Sequence, residues 1–265
     1  MTQEPADDSG VLLRVDGHVA TVTLNRPDRL NSQTPATWRA LACIGAGLDP
    51  EIRVVVVCGE GRSFSAGLDR SLFPGGPAVA DGLAATASGT DAQIAERIAA
   101  FQAGFSWLTR GRAISIAAVQ GHAVGAGFQL ALACDLRVLT QDASLTMAET
   151  SLGLVPDLTG TAPLVRAVGY SRALEICATG RRVGAVEAAA LGLANAVVAA
   201  DQLDGAVQDL VSALLAAPAE SLAATKQLLL GVADRTRSEQ FAAERLAQVP
   251  LLRQITREQT SQLGC

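Results

Sequence analysis

Histidine and aromatic residues are scarce in this chain. Among 265 residues there are two histidines, and phenylalanine, tyrosine and tryptophan together make up 3%. With His18 and His122 as the only imidazoles, a zinc site or a cysteine–histidine nucleophile has little raw material. Few aromatic faces are available to stack on bases, and a net charge of −5 disfavours binding to phosphates. These absences argue against a metal enzyme and against a nucleic-acid partner.

Paired cysteines and long apolar runs are lacking too. The five cysteines are odd in number and lie far apart, with no Cys-x-x-Cys pair, so we expect reduced thiols. The first ten residues are acidic and contain no apolar signal-peptide core, and no stretch is long and uncharged enough to span a bilayer. We therefore expect a cytoplasmic protein with no membrane partner.

Two common enzyme signatures also fail. Gly59-Glu60-Gly61 follows an apolar run, as in a dinucleotide-binding turn, but Phe64 stands where the third glycine is required. The sequence has no Gly-x-Ser-x-Gly turn, and it has little histidine to serve a nucleophilic serine. A nicotinamide enzyme and a serine hydrolase are both disfavoured.

The residues that are present predict a mixed α/β protein. An apolar content of 49% is enough for one large core. A hairpin is expected around Asp16-Gly17-His18, and Thr34 is expected to cap a helix that starts at Pro35. Strands are predicted at 11–15, 19–24, 52–58, 113–119, 136–139 and 194–198. Helices are predicted at 34–49, 92–108, 127–134, 161–168, 171–178, 185–191, 202–215, 221–232 and 239–252. The small-residue segment from Phe73 to Thr90 is expected to be a mobile loop or lid.

The chemistry-bearing signal is a pair of glycine-rich turns. Residues 62–69 and 121–129 each follow an apolar run, and Met147-Ala148-Glu149 comes some twenty residues after the second turn. Backbone N–H groups from two turns can hold a thioester oxygen as it becomes an enolate, and a nearby carboxylate can move the proton. This layout indicates an acyl-thioester enzyme.

These pieces, in this order, resemble the enoyl-CoA hydratase/isomerase, or crotonase, superfamily. The resemblance covers most of the chain. It is carried by Asn25-Arg26-Pro27 with Asn31, Phe64-Ser65-Ala66-Gly67-Leu68-Asp69, Gly121-His122-Ala123-Val124-Gly125-Ala126-Gly127, Cys134-Asp135-Leu136-Arg137 and Ala224-Thr225-Lys226. It implies an α/β, ClpP-like spiral of ββα units at 1–200 and a helical trimerisation region at 201–265. It also implies homotrimers, or hexamers made of two trimers, that take a CoA thioester as substrate and need no cofactor.

The resemblance implies specific roles at the reacting centre. The N–H groups of Ala66 and Ala126 become the oxyanion hole, and Ala126 also precedes a predicted helix whose first amides are unpaired. Glu149, among apolar neighbours, becomes the general acid/base. Gln129 stands where hydratases of the superfamily carry a first glutamate; its amide can orient a water but cannot accept a proton. Asp157 is either a second proton carrier or the cap of the helix that follows it.

The resemblance also implies contacts to CoA. Arg26 and Arg29 match positions near the pyrophosphate, although surface arginines are common and charge alone does not single them out. Lys226 matches a terminal-helix lysine that approaches the nucleotide. The backbone of Phe64, Ala66 and Leu68 is the candidate for adenine contact. His122 is expected to be a packed or hydrogen-bonded turn residue and not a catalyst.

Three activities remain open from the sequence. Double-bond isomerisation needs one carboxylate beside an oxyanion hole, whereas hydration normally uses two around one water, so Gln129 favours isomerisation. A crotonase-fold protein that binds acyl-CoA without turning it over is the rival from another class. The presence of both Glu149 and Asp157 favours an enzyme.

Overall fold

The computed structural model describes residues 2–3, 9–73 and 82–263. The chain divides into two compact units, Met1–Leu210 and Val211–Cys265. The strands all belong to the first unit. They are β1 (Thr2–Gln3), β2 (Val11–Asp16), β3 (Val19–Leu24), β4 (Val54–Gly59), β5 (Ile114–Val119), β6 (His122–Val124), β7 (Leu136–Thr140), β8 (Ser144–Thr146), β9 (Arg182–Gly184) and β10 (Ala196–Val198).

The described residues also form helices. They are α1 (Pro35–Gly47), α2 (Leu83–Thr86), α3 (Asp91–Arg110), α4 (Ala126–Ala133), α5 (Thr161–Val168), α6 (Tyr170–Thr179), α7 (Ala185–Ala190), α8 (Leu203–Ala216), α9 (Ala219–Leu230) and α10 (Arg237–Leu263). All nine predicted helices are confirmed to within a few residues, except that α10, which contains Pro250, continues beyond the predicted end at 252 to Leu263. The cap of α1 is as predicted, because the Thr34 side chain accepts the backbone N–H of Thr37.

A seven-stranded sheet forms the centre of the first unit, in the order β1-β2-β3-β4-β5-β7-β10. The first two pairings are antiparallel and the rest are parallel. Residues 54–57 of β4 and all of β5 are buried, as expected for strands covered on both faces. The predicted hairpin of β2 and β3 is confirmed.

The order of the sheet places both glycine-rich turns at one edge. The turn at 62–69 follows β4 and the turn at 121–129 follows β5. These strands are adjacent and parallel, with Val54 opposite Ile114. Since the carboxyl ends of parallel strands meet at the same edge, the two turns emerge side by side.

A second, three-stranded sheet was missed from the sequence. It has the order β6-β8-β9, with β6 and β8 parallel and β8 and β9 antiparallel. Each strand has three residues, which is too short for apolar alternation to register. This sheet matters for the site, because β6 leads into Gly125-Ala126 and β8 leads into Glu149.

The predicted loop at 73–90 is partly wrong. Residues 74–81 lie outside the described residues, but 83–86 form the short helix α2. The guanidinium Nη1 of Arg97 donates to the backbone oxygens of Ala85, Thr86 and Ser88 at 3.1, 2.7 and 2.6 Å. One long side chain from α3 thus fixes a segment whose own sequence carries no strong pattern.

The described cysteines agree with the expectation of reduced thiols. Cys43, Cys58, Cys134 and Cys177 are free, with Cys134 buried and Cys43 exposed. None of the helices in the described ranges combines the length and apolar character that a membrane span requires.

The contact between the two turns gives a stability prediction. Gly67 has φ of +82°, and a Cβ there would collide with the carbonyl oxygen of Val124. Gly17 also has a positive φ, +54°, but a Cβ there would meet nothing within 4 Å. Gly17→Ala should therefore cost about 1 kcal/mol of unfolding free energy, and Gly67→Ala about 3 kcal/mol, because the second adds overpacking to backbone strain. Urea unfolding of the two variants measures this difference, and equal losses would contradict the close contact.

Candidate active site

A cavity of about 510 Å³ opens where the two turns meet. Its wall includes Leu68 from the first turn, Ala126 and Gln129 from α4, and Glu149 and Asp157 from the segment after β8. Ala66 lines the cavity too, so the structure brings together all five of the residues singled out from the sequence for the reacting centre.

Backbone hydrogen bonds join the first turn to β6. The N–H of Phe64 donates to the oxygen of Gln120, that of Ser65 to the oxygen of His122, and that of Val124 to the oxygen of Ser65, at 2.8, 2.8 and 3.0 Å. A Cβ built on Gly67 would lie 3.6 Å from the nitrogen of Ala126. The two turns, some sixty residues apart in sequence, are thus in direct contact.

Buried polar side chains hold the first turn in shape. Ser65 Oγ donates to the oxygen of Asn31 at 2.7 Å and accepts from Gln33 Nε2 at 3.1 Å. Gln33 in turn accepts the indole N–H of Trp38 at 2.9 Å, and Trp38 lines the cavity. These bonds satisfy groups that would be costly to bury alone, so they fix both the turn and the aromatic wall.

The prediction that Ala66 supplies an available amide is wrong. Its N–H donates to the oxygen of Leu30 at 2.8 Å, and the N–H of Gly67 donates to Ser65 Oγ at 3.2 Å. The sequence could not reveal the partner of Ala66, because Leu30 lies in a loop more than thirty residues earlier.

The N–H of Leu68 is the available amide of the first turn. The oxygen of Gly67 accepts from the N–H of Gln33 at 2.7 Å. In a trans peptide the C=O and the N–H point in opposite directions, so the N–H of Leu68 points away from Gln33. It has no acceptor among the described residues, and Leu68 lines the cavity.

The N–H of Ala126 is available for the same reason. The oxygen of Gly125 accepts from the N–H of Gln129 at 2.9 Å, which directs the Ala126 N–H out of the start of α4. No acceptor for it lies in the described part of the chain. Unpaired amides at a helix N-terminus favour negative charge, so an oxyanion beside Ala126 is stabilised without a cationic side chain.

Glu149 carries the carboxyl group of the cavity wall. Its side chain packs on Gly125, where a Cβ would come within 3.2 Å of Oε1. Oε1 accepts from Gln129 Nε2 at 2.7 Å, whereas Oε2 is buried with no partner among the described residues. Burial raises the pKa of Glu149, and the hydrogen bond from Gln129 offsets part of that rise. The group is therefore suited to take up and release a proton.

Gln129 is fully buried and its amide is engaged at both ends. Its Oε1 accepts the backbone N–H groups of Leu158 and Gly160 at 2.8 and 3.2 Å, and its Nε2 donates to Glu149. Both lone pairs of the amide oxygen are in use. The expected role of orienting a water is thus replaced by contacts to the protein itself.

Asp157 lies on the same cavity wall and is not a helix cap. Helix α5 begins at Thr161, with Gly160 at its N-cap position and no side-chain capping bond. Burial raises the pKa of Asp157. Capping therefore does not explain why an acid stands at this position.

The residues expected to contact CoA through their side chains are placed unevenly. Arg26 donates to Asp69 at 3.0 Å and to the oxygen of Ser32 at 2.8 Å, so its guanidinium holds the first turn. Arg29 is exposed, whereas Lys226, in α9 of the second unit, is only 5% exposed. His122 is exposed on β6, and its backbone oxygen accepts the N–H of Ser65 at 2.8 Å.

Asp69, the last residue of the first turn, and Arg70, which follows it, were given no role from the sequence. Asp69 accepts from Arg26, Ser32 and Ser71, and Arg70 is exposed and lines the cavity. Within the described ranges, no group of three or more histidine, cysteine or acidic side chains is placed to hold a metal ion.

Known proteins resemble this chain over most of its length. A family model described as enoyl-CoA hydratase/isomerase matches residues 14–262. The chain belongs to the enoyl-CoA hydratase/isomerase family. It is 34% identical to an (E)-benzylidenesuccinyl-CoA hydratase from Thauera aromatica over 82% of this chain and 80% of that protein.

Solved structures of this family confirm the predicted fold. A protein from Thermobifida fusca assigned as an enoyl-CoA hydratase, solved in complex with CoA, superposes with a TM-score of 0.88 at 47% identity, over 94% of this chain and 95% of the other. The same protein in complex with acetoacetyl-CoA gives a TM-score of 0.87 at 47% identity, over 93% of this chain and 96% of the other. The chain has the crotonase fold, a mixed α/β core with a C-terminal helical region.

The Arg26–Asp69 pair gives a pH-dependent stability prediction. Burial alone would raise the pKa of Asp69, but hydrogen bonds from Ser71, Ser32 and Arg26 lower it from 3.8 to about 2. Because its pKa is lowered on folding, the Asp69 carboxylate contributes its full stability at a pH above its pKa in the unfolded chain, and this contribution is lost as the pH falls through its pKa in the folded protein. Asp69→Asn should therefore cost about 2 kcal/mol at pH 7, and the gap to wild type should close between about pH 4 and pH 2.

Urea unfolding of wild type and Asp69→Asn across that range measures the effect. A gap that stays constant from pH 7 down to pH 2 would show that the carboxylate charge does not hold the turn.

Proposed function

We propose that this protein moves a carbon–carbon double bond in an acyl-CoA thioester. The observation that carries the proposal is one cavity whose wall holds the buried carboxyl group of Glu149 and the backbone amides of Leu68 and Ala126, which have no acceptor among the described residues. The CoA and acetoacetyl-CoA complexes of the similar Thermobifida fusca protein support a CoA thioester as the ligand.

The proposed reaction starts with the thioester oxygen between the two amides. Glu149 removes a proton from C2 of a 3-enoyl thioester, and the electron pair of the broken C–H bond spreads onto the oxygen. The N–H groups of Leu68 and Ala126 stabilise that charge as it forms. Protonation at C4 then gives the 2-enoyl thioester, with no net gain or loss of electrons.

The two acids suit the two proton transfers. Glu149 and Asp157 share the cavity wall, and burial raises the pKa of each. An acid whose pKa lies closer to the working pH is the better partner in proton transfer. Asp157 is therefore our candidate for the return of the proton at C4.

Hydration is the competing reaction, since several relatives are named hydratases. A water adding to C3 must lose a proton while C2 gains one, a task normally divided between two carboxylates. At position 129 this chain offers an amide whose oxygen already accepts two backbone N–H groups. That arrangement favours isomerisation.

Several accompanying features stay proposals. We propose that the substrate's CoA is the only coenzyme involved and that the C-terminal helices form a trimer or a pair of trimers. We also propose that Arg29 and Lys226 contact CoA. The pairing of Arg26 with Asp69 makes Arg26 the weaker candidate for such a contact.

Removing the base tests the proposed reaction. Glu149→Gln keeps the shape and the contact with Gln129 but cannot accept a proton at neutral pH. We expect kcat for migration of 3-enoyl thioesters to fall by at least about 100-fold, with acyl-CoA affinity changed by less than about threefold. Spectrophotometric assays with 2-enoyl, 3-enoyl and dienoyl thioesters of several lengths measure both migration and hydration.

Glu96→Gln, at an exposed carboxylate on α3, is the matched control and should behave as wild type. Unchanged turnover in Glu149→Gln would contradict the mechanism. A wild-type protein that binds these thioesters but turns over none would instead support the non-catalytic alternative.

Asp157→Asn separates the two proton transfers. Exchange of C2 protons of a saturated acyl-CoA with D₂O needs only Glu149, so it should stay within about threefold of wild type, whereas double-bond migration should slow by about 100-fold. NMR of the exchanged thioester and the migration assay give the two rates. Equal loss of both rates, or of neither, would remove Asp157 from the reaction.

A further inference from the structure

The orientation of the Gln129 amide is fixed by the backbone. Its Oε1 receives two N–H groups, from Leu158 and Gly160, and a backbone N–H can only donate. The amide nitrogen must therefore face Glu149, and Glu149 Oε1 must be the acceptor of that bond. The usual ambiguity between the oxygen and nitrogen of an amide does not arise here.

This amide joins the two segments that carry the acids. Leu158 and Gly160 lie directly after Asp157 and before α5. Glu149 lies at the start of the short helix Glu149–Leu152. Gln129 has no exposed surface, and Glu149 is 8% exposed. One buried side chain thus bridges both proton-carrying segments.

There is little room for the pair to rearrange. A Cβ on Gly160 would lie 2.6 Å from Cγ of Gln129, and one on Gly125 would lie 3.2 Å from Oε1 of Glu149. The charged or titratable groups that face Glu149 from other elements are Asp157 before α5 and Cys177 on α6, and Arg70 lines the same cavity. Of these, only Arg70 is a cation, and it is exposed to solvent.

A glutamate at position 129 would change the donor into an acceptor. One of its oxygens would take the two backbone N–H groups, and the other would face Glu149 Oε1 at the present 2.7 Å contact. Two carboxylates at that distance cannot both be ionised, so they share one proton and titrate as a pair.

We infer that Gln129 is a positioning residue, which keeps Glu149 oriented and ionisable, and that glutamate at 129 would form a proton-sharing pair with Glu149 without creating a second base. The catalytic part of this inference rests on the proposed function, but the pairing does not. The two carboxyl oxygens would be in direct contact, with no space for a water between them. The change that would supply a hydratase's second carboxylate should therefore yield no hydratase.

Three variants test the pairing without any need for turnover. They are Gln129→Glu, Glu149→Gln, and the double variant Gln129→Glu/Glu149→Gln, in which the carboxylate and the amide exchange places. In the double variant the carboxylate at 129 still accepts hydrogen bonds from the backbone N–H groups of Leu158 and Gly160. It also accepts one from the side-chain amide at 149, so every donor again has an acceptor. Urea unfolding midpoints between pH 5 and pH 9, together with ¹³C NMR of side-chain-labelled glutamate, are the measurements.

For Gln129→Glu we expect a carboxyl titration raised by more than about one pH unit relative to Glu149 in wild type. A group whose pKa is raised in the folded protein contributes stability at a pH below its unfolded pKa, and this contribution is lost as the pH rises through its folded pKa. The urea midpoint of Gln129→Glu should therefore fall from pH 5 to pH 9. The double variant should lose this pH dependence and regain the midpoint of Glu149→Gln. If Gln129→Glu folds only at low pH, the same conclusion follows.

Activity supplies the second readout. The pH profile of C2-proton exchange by Gln129→Glu should move to higher pH by more than about one unit, with no gain of hydration. A gain of hydration, an unshifted titration, or a double variant no more stable than Gln129→Glu would overturn the inference. If wild type turns over no thioester but the titration and the rescue are observed, the proposed function fails and the pairing stands.

Discussion

The contact between the first glycine-rich turn and β6 is the interaction on which the site depends. Three backbone hydrogen bonds between residues 64–65 and 120–124 place one peptide strand directly beside another. Gly67 then lies against Val124 with no space for a side chain. Because both segments are held by their backbones, the amides of Leu68 and Ala126 stay fixed in the wall of one cavity. Preorganised dipoles of this kind need no rearrangement as charge develops on a substrate.

The acids depend on the same framework through the small sheet. Pairing of β6 with β8 sets Val124 opposite Thr146, and Glu149 follows three residues later. The carboxyl group is thereby buried against Gly125, where burial raises its pKa and Gln129 fixes its orientation. The amide of Ala126 and the carboxyl group of Glu149 thus follow neighbouring strands of a single sheet.

Much of this was predictable because apolar periodicity marks long elements well. The alternation in β2 and β3 and the helical spacing from Trp38 to Leu48 gave the elements almost residue by residue. Strands β6, β8 and β9 were missed because three residues carry no usable period. Yet the adjacency of the two turns was implicit in the order of two buried parallel strands, each followed by glycines.

What the sequence could not supply were partners from distant loops. Ala66 and Leu68 are two residues apart, and only the carbonyl oxygen of Leu30 and the N–H of Gln33 decide which amide is free. The sequence around Gln129 likewise does not show whether its side chain faces water or the backbone of Leu158. Hydrogen bonds of this kind depend on the packing of segments far apart in the chain, which no local pattern encodes.

The most direct test of the account is a crystal structure of Glu149→Gln with a bound 3-enoyl-CoA or acetoacetyl-CoA. The thioester oxygen should lie about 2.7–3.1 Å from the backbone nitrogens of both Leu68 and Ala126, with C2 beside the side chain at 149. A thioester oxygen bound to other donors, or a C2 carbon facing away from position 149, would contradict the account.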